Sequence, residues 1–252
     1  MKKTYILNGI ITFLSIILCI LIASICYNLI HLNKFSNIKI SPYTGEIIKN
    51  KTPIKNSVEV IFKINEDNYT LDGLSSANII IEYINSSNKP LYRAIYYDKK
   101  PELKNKVSIL SDEKNSFSMP KFNFIDLPDI SEEYIKEVNN IFISFNDYHC
   151  SNFIYKDGQY YHYKSSHEDL DKSSNKPLCV SNVIVQFKDN TNGSNLYGNG
   201  LLFCGGKVID IKWHSNEGIP IKITDKNGKD ISLVRGNTWW VILDNYGNIA
   251  YN

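Results

Sequence analysis

The pattern of apolar and polar residues predicts one N-terminal helix followed by many short β-strands. The chain begins with Lys2 and Lys3 and continues as an almost unbroken apolar run from Tyr5 to Ile30. A helix needs about 20 apolar residues to cross a membrane, and the positively charged flank stays in the cytoplasm. Residues 5–30 therefore predict an uncleaved, single-pass transmembrane anchor, with a cytoplasmic N-terminus and extracytoplasmic C-terminal domains.

Two other fates of this segment fit the residues less well. A cleavable secretory signal has an apolar stretch of about 7–15 residues and small residues at the cut site. The apolar run is longer, and the residues before Tyr27 contain no small-x-small pair. A lipoprotein requires a small residue before the lipidated cysteine, whereas Leu18 precedes Cys19 and Ile25 precedes Cys26. Both cysteines are interpreted as apolar residues of the spanning helix.

The region after the anchor predicts a mixture of strands and short helices. Apolar and β-branched runs predict strands, and a Ser followed by two Glu residues predicts a helix start with acidic residues in its first turn. The predicted strands are Val58–Ile64, Ile79–Ile84 and Leu91–Tyr97, with a helical turn at Leu74–Ala77 and a short helix from Ser131 to about Val138.

From residue 140 onward the pattern predicts strands alone. Short apolar runs alternate with turns that contain Gly, and this spacing is typical of a β-rich domain. The predicted strands are Ile141–Phe145, Phe153–Tyr155, Tyr160–Tyr163, Val180–Phe187, Leu201–Cys204, Val208–Trp213, Ile219–Ile223, Ile231–Val234 and Trp239–Leu243. We therefore predict an α+β protein with an anchor (residues 1–37), a mixed α/β first domain (38–128) and a β-rich second domain (129–252).

Charge and cysteine content exclude several classes of function. The formal net charge is +2 and both signs are interspersed, whereas a nucleic-acid-binding protein needs a concentrated basic surface. Cys150, Cys179 and Cys204 show no spacing typical of metal ligands, so neither a metal nor a cofactor is predicted. These cysteines are interpreted as small buried apolar residues, with one disulfide plus a free thiol as the alternative.

Several segments, taken in order, resemble the YerB family. These are Ser41–Gly45 (SPYTG), Gly73–Tyr83 (GLSSANIIIEY), Leu91–Tyr96 (LYRAIY), Tyr161–Asp169, Asn182–Gln186 (NVIVQ) and Gly236–Trp239 (GNTW). The resemblance implies a lipoprotein-like bacterial envelope protein with two consecutive domains of unknown function, of the DUF3048 type. It covers most of the chain beyond residue 40.

The first domain departs from the family pattern. After the strand that contains Arg93, the family carries an arginine-rich motif and a histidine motif, but residues 104–124 contain neither. Paired arginines would suit an anion site. The departure therefore implies a degenerate first domain that has lost any such site.

His167 and Asp169 form the candidate catalytic pair. Residues two apart on an extended segment point to the same side, and an imidazole beside a carboxylate can act as a general base. A surface loop explains these residues equally well, because the sequence shows no accompanying nucleophile or oxyanion donor.

Aromatic residues supply the candidate ligand-binding positions. Aromatic rings can stack on sugars or anchor a protein partner, although on alternating strands they also form cores. The indoles of Trp239 and Trp240 must point to opposite faces of a strand, so one is expected in the core and the other at the surface. The candidate ligand-binding residues are the aromatic residues Tyr161, Tyr163, Trp239 and Trp240, together with Arg93.

These observations favour a non-catalytic binding or scaffolding module. We expect a membrane-anchored, extracytoplasmic protein of a Gram-positive-type envelope. Its expected partner is a cell-wall polymer or another envelope protein. A further alternative is a purely structural partner of another membrane protein. The alternative is an envelope-polymer hydrolase that uses His167 and Asp169.

Overall fold

The computed structural model describes eleven segments of the chain: residues 13–28, 39–48, 57–63, 72–97, 108–110, 121–127, 136–164, 166–188, 195–216, 221–244 and 247–252. The chain divides into two compact units, Met1–Ile40 and Ser41–Asn252. Each unit is described by itself.

The first unit contains a helix over residues 13–28. Within the segments that the structure describes, no helix is both long and apolar enough to span a membrane. The predicted transmembrane helix is therefore corrected, and the rest of the predicted span, residues 5–12 and 29–30, lies outside the described residues.

The second unit consists mainly of β-strands. It also contains one described 3₁₀ turn, Leu74–Ser76, where the helical turn was predicted. The eighteen described strands are β1 (Val58–Lys63), β2 (Ile79–Ile84), β3 (Pro90–Tyr96), β4 (Ser108–Leu110), β5 (Asn123–Ile125), β6 (Lys136–Glu137), β7 (Asn140–Ser144), β8 (Cys150–Lys156), β9 (Gln159–Lys164), β10 (His167–Glu168), β11 (Cys179–Val180), β12 (Asn182–Phe187), β13 (Asn195–Cys204), β14 (Lys207–Asn216), β15 (Lys222–Asp225), β16 (Ser232–Val234), β17 (Thr238–Leu243) and β18 (Asn248–Tyr251).

Three sheets organise these strands. The ten-stranded sheet has the order β15-β14-β13-β12-β17-β2-β3-β1-β4, with β6 paired to β14. Its centre is parallel, since β17 pairs in parallel with β12 on one side and β2 on the other. A six-stranded sheet has the order β10-β9-β8-β7-β18 with β11 beside β9, and β5 and β16 form a two-stranded sheet.

The ten-stranded sheet is covered on both faces at its centre. On one face, Ile80, Val183 and Trp239 belong to a core that includes Ile141 and Phe153 of the six-stranded sheet. On the other face, a second core contains Ile79, Ile81, Ile184, Trp240 and Leu233, the last from β16. Burial on both faces explains why the central strands are nearly continuous apolar runs.

The prediction of a mixed α/β first domain was wrong. The described part of residues 38–128 contains strands and one 3₁₀ turn. In the predicted helix that begins at Ser131, residues 131–135 lie outside the described residues. Lys136 and Glu137 form a strand paired with Val208 and Lys207 of β14. Pairing with a distant strand has overridden the local helix-start pattern at this point.

The strand predictions match most of the observed elements, and two strands join the predicted domains. β2 lies before the predicted boundary at residue 128 and β17 lies after it, yet the two are neighbours in one sheet. The second unit, Ser41–Asn252, contains both. The division into residues 38–128 and 129–252 stays a prediction about which parts fold independently.

Candidate functional site

Trp239 and Trp240 lie in the core, on opposite faces of β17. Both side chains are fully buried. The Trp239 Nε1–H group donates to Glu82 Oε2 at 2.8 Å, and the Trp240 Nε1–H group donates to Gln186 Oε1 at 3.0 Å. The opposite orientations agree with the sequence, but the expected exposure of one indole was wrong because β17 is covered on both faces. Neither indole is accessible to an external ligand in this arrangement.

The structure places Asp169 beside His162 and not beside His167. Asp169 Oδ2 lies 3.0 Å from Nδ1 of the buried His162, whose ring stacks on Trp239 with centroids 4.5 Å apart. His167 is exposed, and its Nδ1 lies 3.3 Å from Ser166 Oγ. β10 ends at Glu168, and the Asp169 N–H donates to the His162 carbonyl, so the alternation expected of a continuous strand ends there.

Glu82 is the centre of a buried hydrogen-bond network that the sequence did not reveal. Its Oε1 accepts hydrogen bonds from Tyr92 Oη at 2.8 Å and Ser151 Oγ at 2.7 Å. The same oxygen lies 2.9 Å from His149 Nε2, while Oε2 accepts from Trp239. The Glu82 side chain is fully buried, so its oxygens serve the fold and are not presented to a substrate.

The electrostatics of this network favour an ionised carboxylate. Burial acts to raise the pKa of Glu82, but the hydrogen bond and charge of His149, with smaller contributions from His162 and Ser151, lower it to about 2. Burial and the neighbouring Glu82 raise the pKa of Tyr92, which therefore stays a hydrogen-bond donor. A buried charge is tolerated in proteins when it is paired and hydrogen-bonded in this way.

Arg93 is engaged in an ion pair. Its Nε lies 2.6 Å from Glu59 Oε1, between the adjacent strands β3 and β1. Burial raises the pKa of Glu59, and the charge and hydrogen bond of Arg93 oppose that rise. Arg93 belongs to β3 of the ten-stranded sheet, whereas Tyr161 and Tyr163 belong to β9 of the six-stranded sheet, so the candidate residues are divided between two sheets.

Tyr161 and Tyr163 lie together on the outer side of the six-stranded sheet. The inward positions of β9 are Tyr160 and His162, which are buried. Lys156 Nζ lies 4.2 Å from the centroid of the Tyr161 ring and 5.9 Å from that of Tyr163, and it forms an ion pair with Glu168. A cation over an aromatic face is attracted to the ring. The positive charge of Lys156 on this side is therefore paired with the negative charge of Glu168.

The same side carries residues that the sequence analysis missed. Asn152 is opposite Tyr163 on one neighbouring strand and opposite Phe142 on the other, and Phe142 is opposite Ala250. Phe142 is 46% exposed. A shallow depression of about 400 Å³ lies here. We call this surface the open face, defined by Asn140, Phe142, Asn152, Tyr161, Tyr163 and Ala250.

The open face has a detectable pattern in the sequence. In β7, the buried Ile141 and Ile143 flank Phe142. An aromatic residue at the outward position of an alternating strand marks an exposed ring. Within the described ranges, no group of three or more His, Cys, Asp or Glu side chains could hold a metal ion.

The cysteines have different environments. All five are free thiols in the structure. Cys204 is buried, as the sequence analysis expected, whereas the expected burial of Cys150 was wrong because it lies exposed at the start of β8.

Comparisons with known proteins show one matching family and one similar solved structure. Residues 141–240 match the family described as "Protein of unknown function (DUF3048) C-terminal domain". The crystal structure of the YerB protein from Bacillus subtilis is similar, with a TM-score of 0.62 and 17% identity, over 84% of this chain and 99% of that chain. No curated protein matches the chain. At this level of identity the structural likeness shows the fold alone.

Proposed function

We propose that this chain is a non-catalytic binding module of the cell envelope. The two matches described above support a YerB-like protein of the DUF3048 family. The open face is its proposed binding surface. The observation that carries the proposal is the exposed Phe142 ring, which is flanked by amide side chains on an uncovered side of a sheet.

The chemistry of the open face fits a glycan strand of a cell-wall polymer. An aromatic ring can stack on the apolar face of a sugar, and the amides of Asn140 and Asn152 offer both donors and acceptors to hydroxyl groups. Lys156 and Glu168 neutralise each other at one edge, so an uncharged polymer is favoured over a strongly charged one. A surface formed by parallel rows of side chains also suits an extended ligand.

Binding is favoured over hydrolysis by the surroundings of the candidate catalytic pair. Asp169 forms its contact with the buried His162 and not with His167, which is exposed. The contact of 3.3 Å between Ser166 Oγ and His167 Nδ1 lies in solvent, and among the described residues no carboxylate orients that imidazole. A nucleophile needs an oriented base and donors for the developing charge.

An envelope location is part of the proposal. It is supported by the lysines that precede the apolar N-terminal run, a pattern typical of exported proteins. The measurement is protease treatment of protoplasts, which have lost the cell wall but keep an intact membrane. Digestion of the C-terminal unit is expected, while protection equal to that of a cytoplasmic marker would contradict export.

Sedimentation with purified cell-wall glycan tests the binding function. We expect wild-type protein to sediment with the polymer, and Phe142→Ala to lose at least about thirtyfold in affinity, the range of a binding hot spot. Tyr148→Ala is the matched control, because Tyr148 is an aromatic residue 92% exposed in the turn between β7 and β8.

The same incubation separates binding from hydrolysis. Reducing ends released into the supernatant are measured after overnight contact, with wild type and the double variant His167→Ala/Asp169→Ala. Binding without release is expected. Release that depends on His167 and Asp169 would establish the hydrolase instead, and equal loss of sedimentation in the Phe142 and Tyr148 variants would remove the open face as the site.

A further inference from the structure

A second concave site lies at the carboxyl ends of the three parallel strands. Tyr83, Gln186 and Ile242 are the second-to-last residues of β2, β12 and β17, respectively. With Trp213 and Ser215 of β14, these residues line a pocket of about 320 Å³. Crevices at the carboxyl ends of parallel strands are frequent ligand sites, and this volume is within the usual range for a small molecule. The pocket and the open face share no lining residues.

One wall of the pocket is held rigidly by Trp213. Its Nε1–H group donates to the carbonyls of Phe187 and Asn199 at 3.0 and 3.1 Å, and the side chain is 4% exposed. A Cβ atom at Gly198 would lie only 2.7 Å from Trp213 Nε1, so the glycine makes room for the indole. Because the only polar atom of the ring is already bonded, Trp213 offers the pocket an apolar and preformed surface.

Gln186 supplies a hydrogen-bond donor with a defined orientation. The Trp240 indole can only donate, so the oxygen of the Gln186 amide must face it. The amide nitrogen, on the other side of the group, is then the atom turned away from Trp240. Gln186 is 7% exposed and lines the pocket. Its N–H groups would be satisfied by an acceptor atom of a ligand.

The charges at the pocket are balanced. Lys188 and Asp244 both line it, and they follow Phe187 and Leu243, which are paired in register on adjacent strands. The Lys188 N–H donates to the Leu243 carbonyl at 2.7 Å, which keeps the two strands aligned to this point. Opposite charges at neighbouring positions cancel at longer range, so neither an anion nor a cation gains from entering.

We propose that this pocket is a second binding site, which takes a small, uncharged and largely apolar molecule that carries one acceptor oxygen, such as a carbonyl. The apolar part packs against Trp213, Ile221 and Ile242. The acceptor oxygen receives a hydrogen bond from Gln186. This site and the open face are formed by different residues. A negative binding result at one site therefore leaves the proposal for the other site unaffected.

The first test uses the neutral fluorescent probe N-phenyl-1-naphthylamine with the full chain. Wild-type protein is expected to bind the probe saturably, and Ser215→Phe, which fills the pocket, should reduce the affinity at least about tenfold. His214→Phe is the control, because His214 is the exposed neighbour on the same strand. Probe bound by the apolar N-terminal run is common to all variants and is subtracted. Equal binding by both variants would overturn the proposal.

The second test concerns the acceptor oxygen and the charge. Competition by 2-acetylnaphthalene is compared with competition by 2-isopropenylnaphthalene, in which a CH2 group replaces the carbonyl oxygen. One hydrogen bond should make the ketone about three- to tenfold tighter, and the difference should vanish in Gln186→Met. Equal affinities in wild type would overturn the role of Gln186. Tighter binding of 2-naphthoate or 2-naphthylmethylammonium than of the ketone would overturn the uncharged ligand.

Discussion

Trp239 donates its indole hydrogen to the carboxylate of Glu82 over 2.8 Å, although 157 positions separate the two residues in the chain. The contact lies between the parallel strands β17 and β2, where Trp239 is in register with Ile80. It joins a fully buried aromatic residue of the C-terminal half to a fully buried carboxylate of the N-terminal half. The centre of the large sheet therefore depends on both parts of the chain.

The stability of this centre can be tested with two matched substitutions. Trp239→Phe leaves a charged oxygen of Glu82 without its indole donor, whereas Trp240→Phe leaves a neutral oxygen of Gln186 without one. Hydrogen bonds to charged groups are worth about 1.5–3 kcal/mol and neutral ones about 0.5–1.5 kcal/mol. Urea unfolding should therefore show the larger loss for Trp239→Phe. The reverse order would contradict a charged Glu82.

Acid should destabilise the fold through Glu82. Its pKa is about 2 in the folded protein against an ordinary value of 4.5, so the unfolded chain takes up the proton first as the pH falls. The urea midpoint is therefore expected to decrease between about pH 5 and pH 2. Glu82→Gln should flatten this dependence, while Asp147→Asn in the exposed β7–β8 turn should keep it. An unchanged slope in Glu82→Gln would argue against the buried anion.

Asp171 should anchor the 3₁₀ turn. Its carboxylate accepts the Gly73 N–H at 3.1 Å and the Ser75 N–H at 2.8 Å. Asp171→Ala leaves both donors without this acceptor, and about 2 kcal/mol or more of stability should be lost. Ser173→Ala, which removes a single hydroxyl donor to Asp171, should cost less. Hydrogen exchange at Ser75 is the local measurement, and slow exchange in Asp171→Ala would disprove the anchor.

Trp213 should contribute strongly to stability. The sequence predicts it at the end of the strand Val208–Trp213, and the structure shows it 4% exposed. Trp213→Ala should cost about 3–5 kcal/mol in thermal or urea unfolding, as is usual for a buried aromatic residue. Tyr197→Ala, at a residue 62% exposed on the adjacent β13, should stay within about 0.5 kcal/mol. Similar effects for both variants would show that Trp213 is not a core residue.

The thiols should differ in reactivity. Burial raises the pKa of Cys204 to about 12, although Lys207 opposes the shift, and the side chain is inaccessible. Cys150 is exposed. Iodoacetamide at pH 8, followed by peptide mass mapping, should label Cys150 in the native protein and Cys204 only after unfolding, because the thiolate is the reactive form. Equal labelling rates would contradict the described core.

Much of the strand pattern was predictable, because it is encoded locally. Runs such as residues 79–84 and 182–187 are rich in β-branched residues, and the structure forms strands at Ile79–Ile84 and Asn182–Phe187. The pairing was not predictable. Parallel neighbours such as β2 and β17 are far apart in sequence, and no turn residue specifies their register.

The candidate site was harder to predict because its residues meet through tertiary contacts. Glu82 interrupts an apolar run, and a charge at that position gives no indication of its four partners. Asp169 was paired with His167 by spacing, but the short β10 ends between them and sets Asp169 against His162. Tyr161 and Tyr163 do share a face, as alternation requires, whereas the burial of Trp240 depends on a layer formed by β5 and β16.

The central position of β17 constrains when the molecule can fold during its synthesis. β17 is the penultimate described strand, yet it lies between β12 and β2 in the middle of the large sheet. A ribosome must therefore have translated almost the whole chain before that gap can close, and contacts between distant segments form slowly. Until then β2 and β12 expose apolar edges to solvent. A nascent chain of this kind has a long interval in which a chaperone or an export machine can capture it still unfolded.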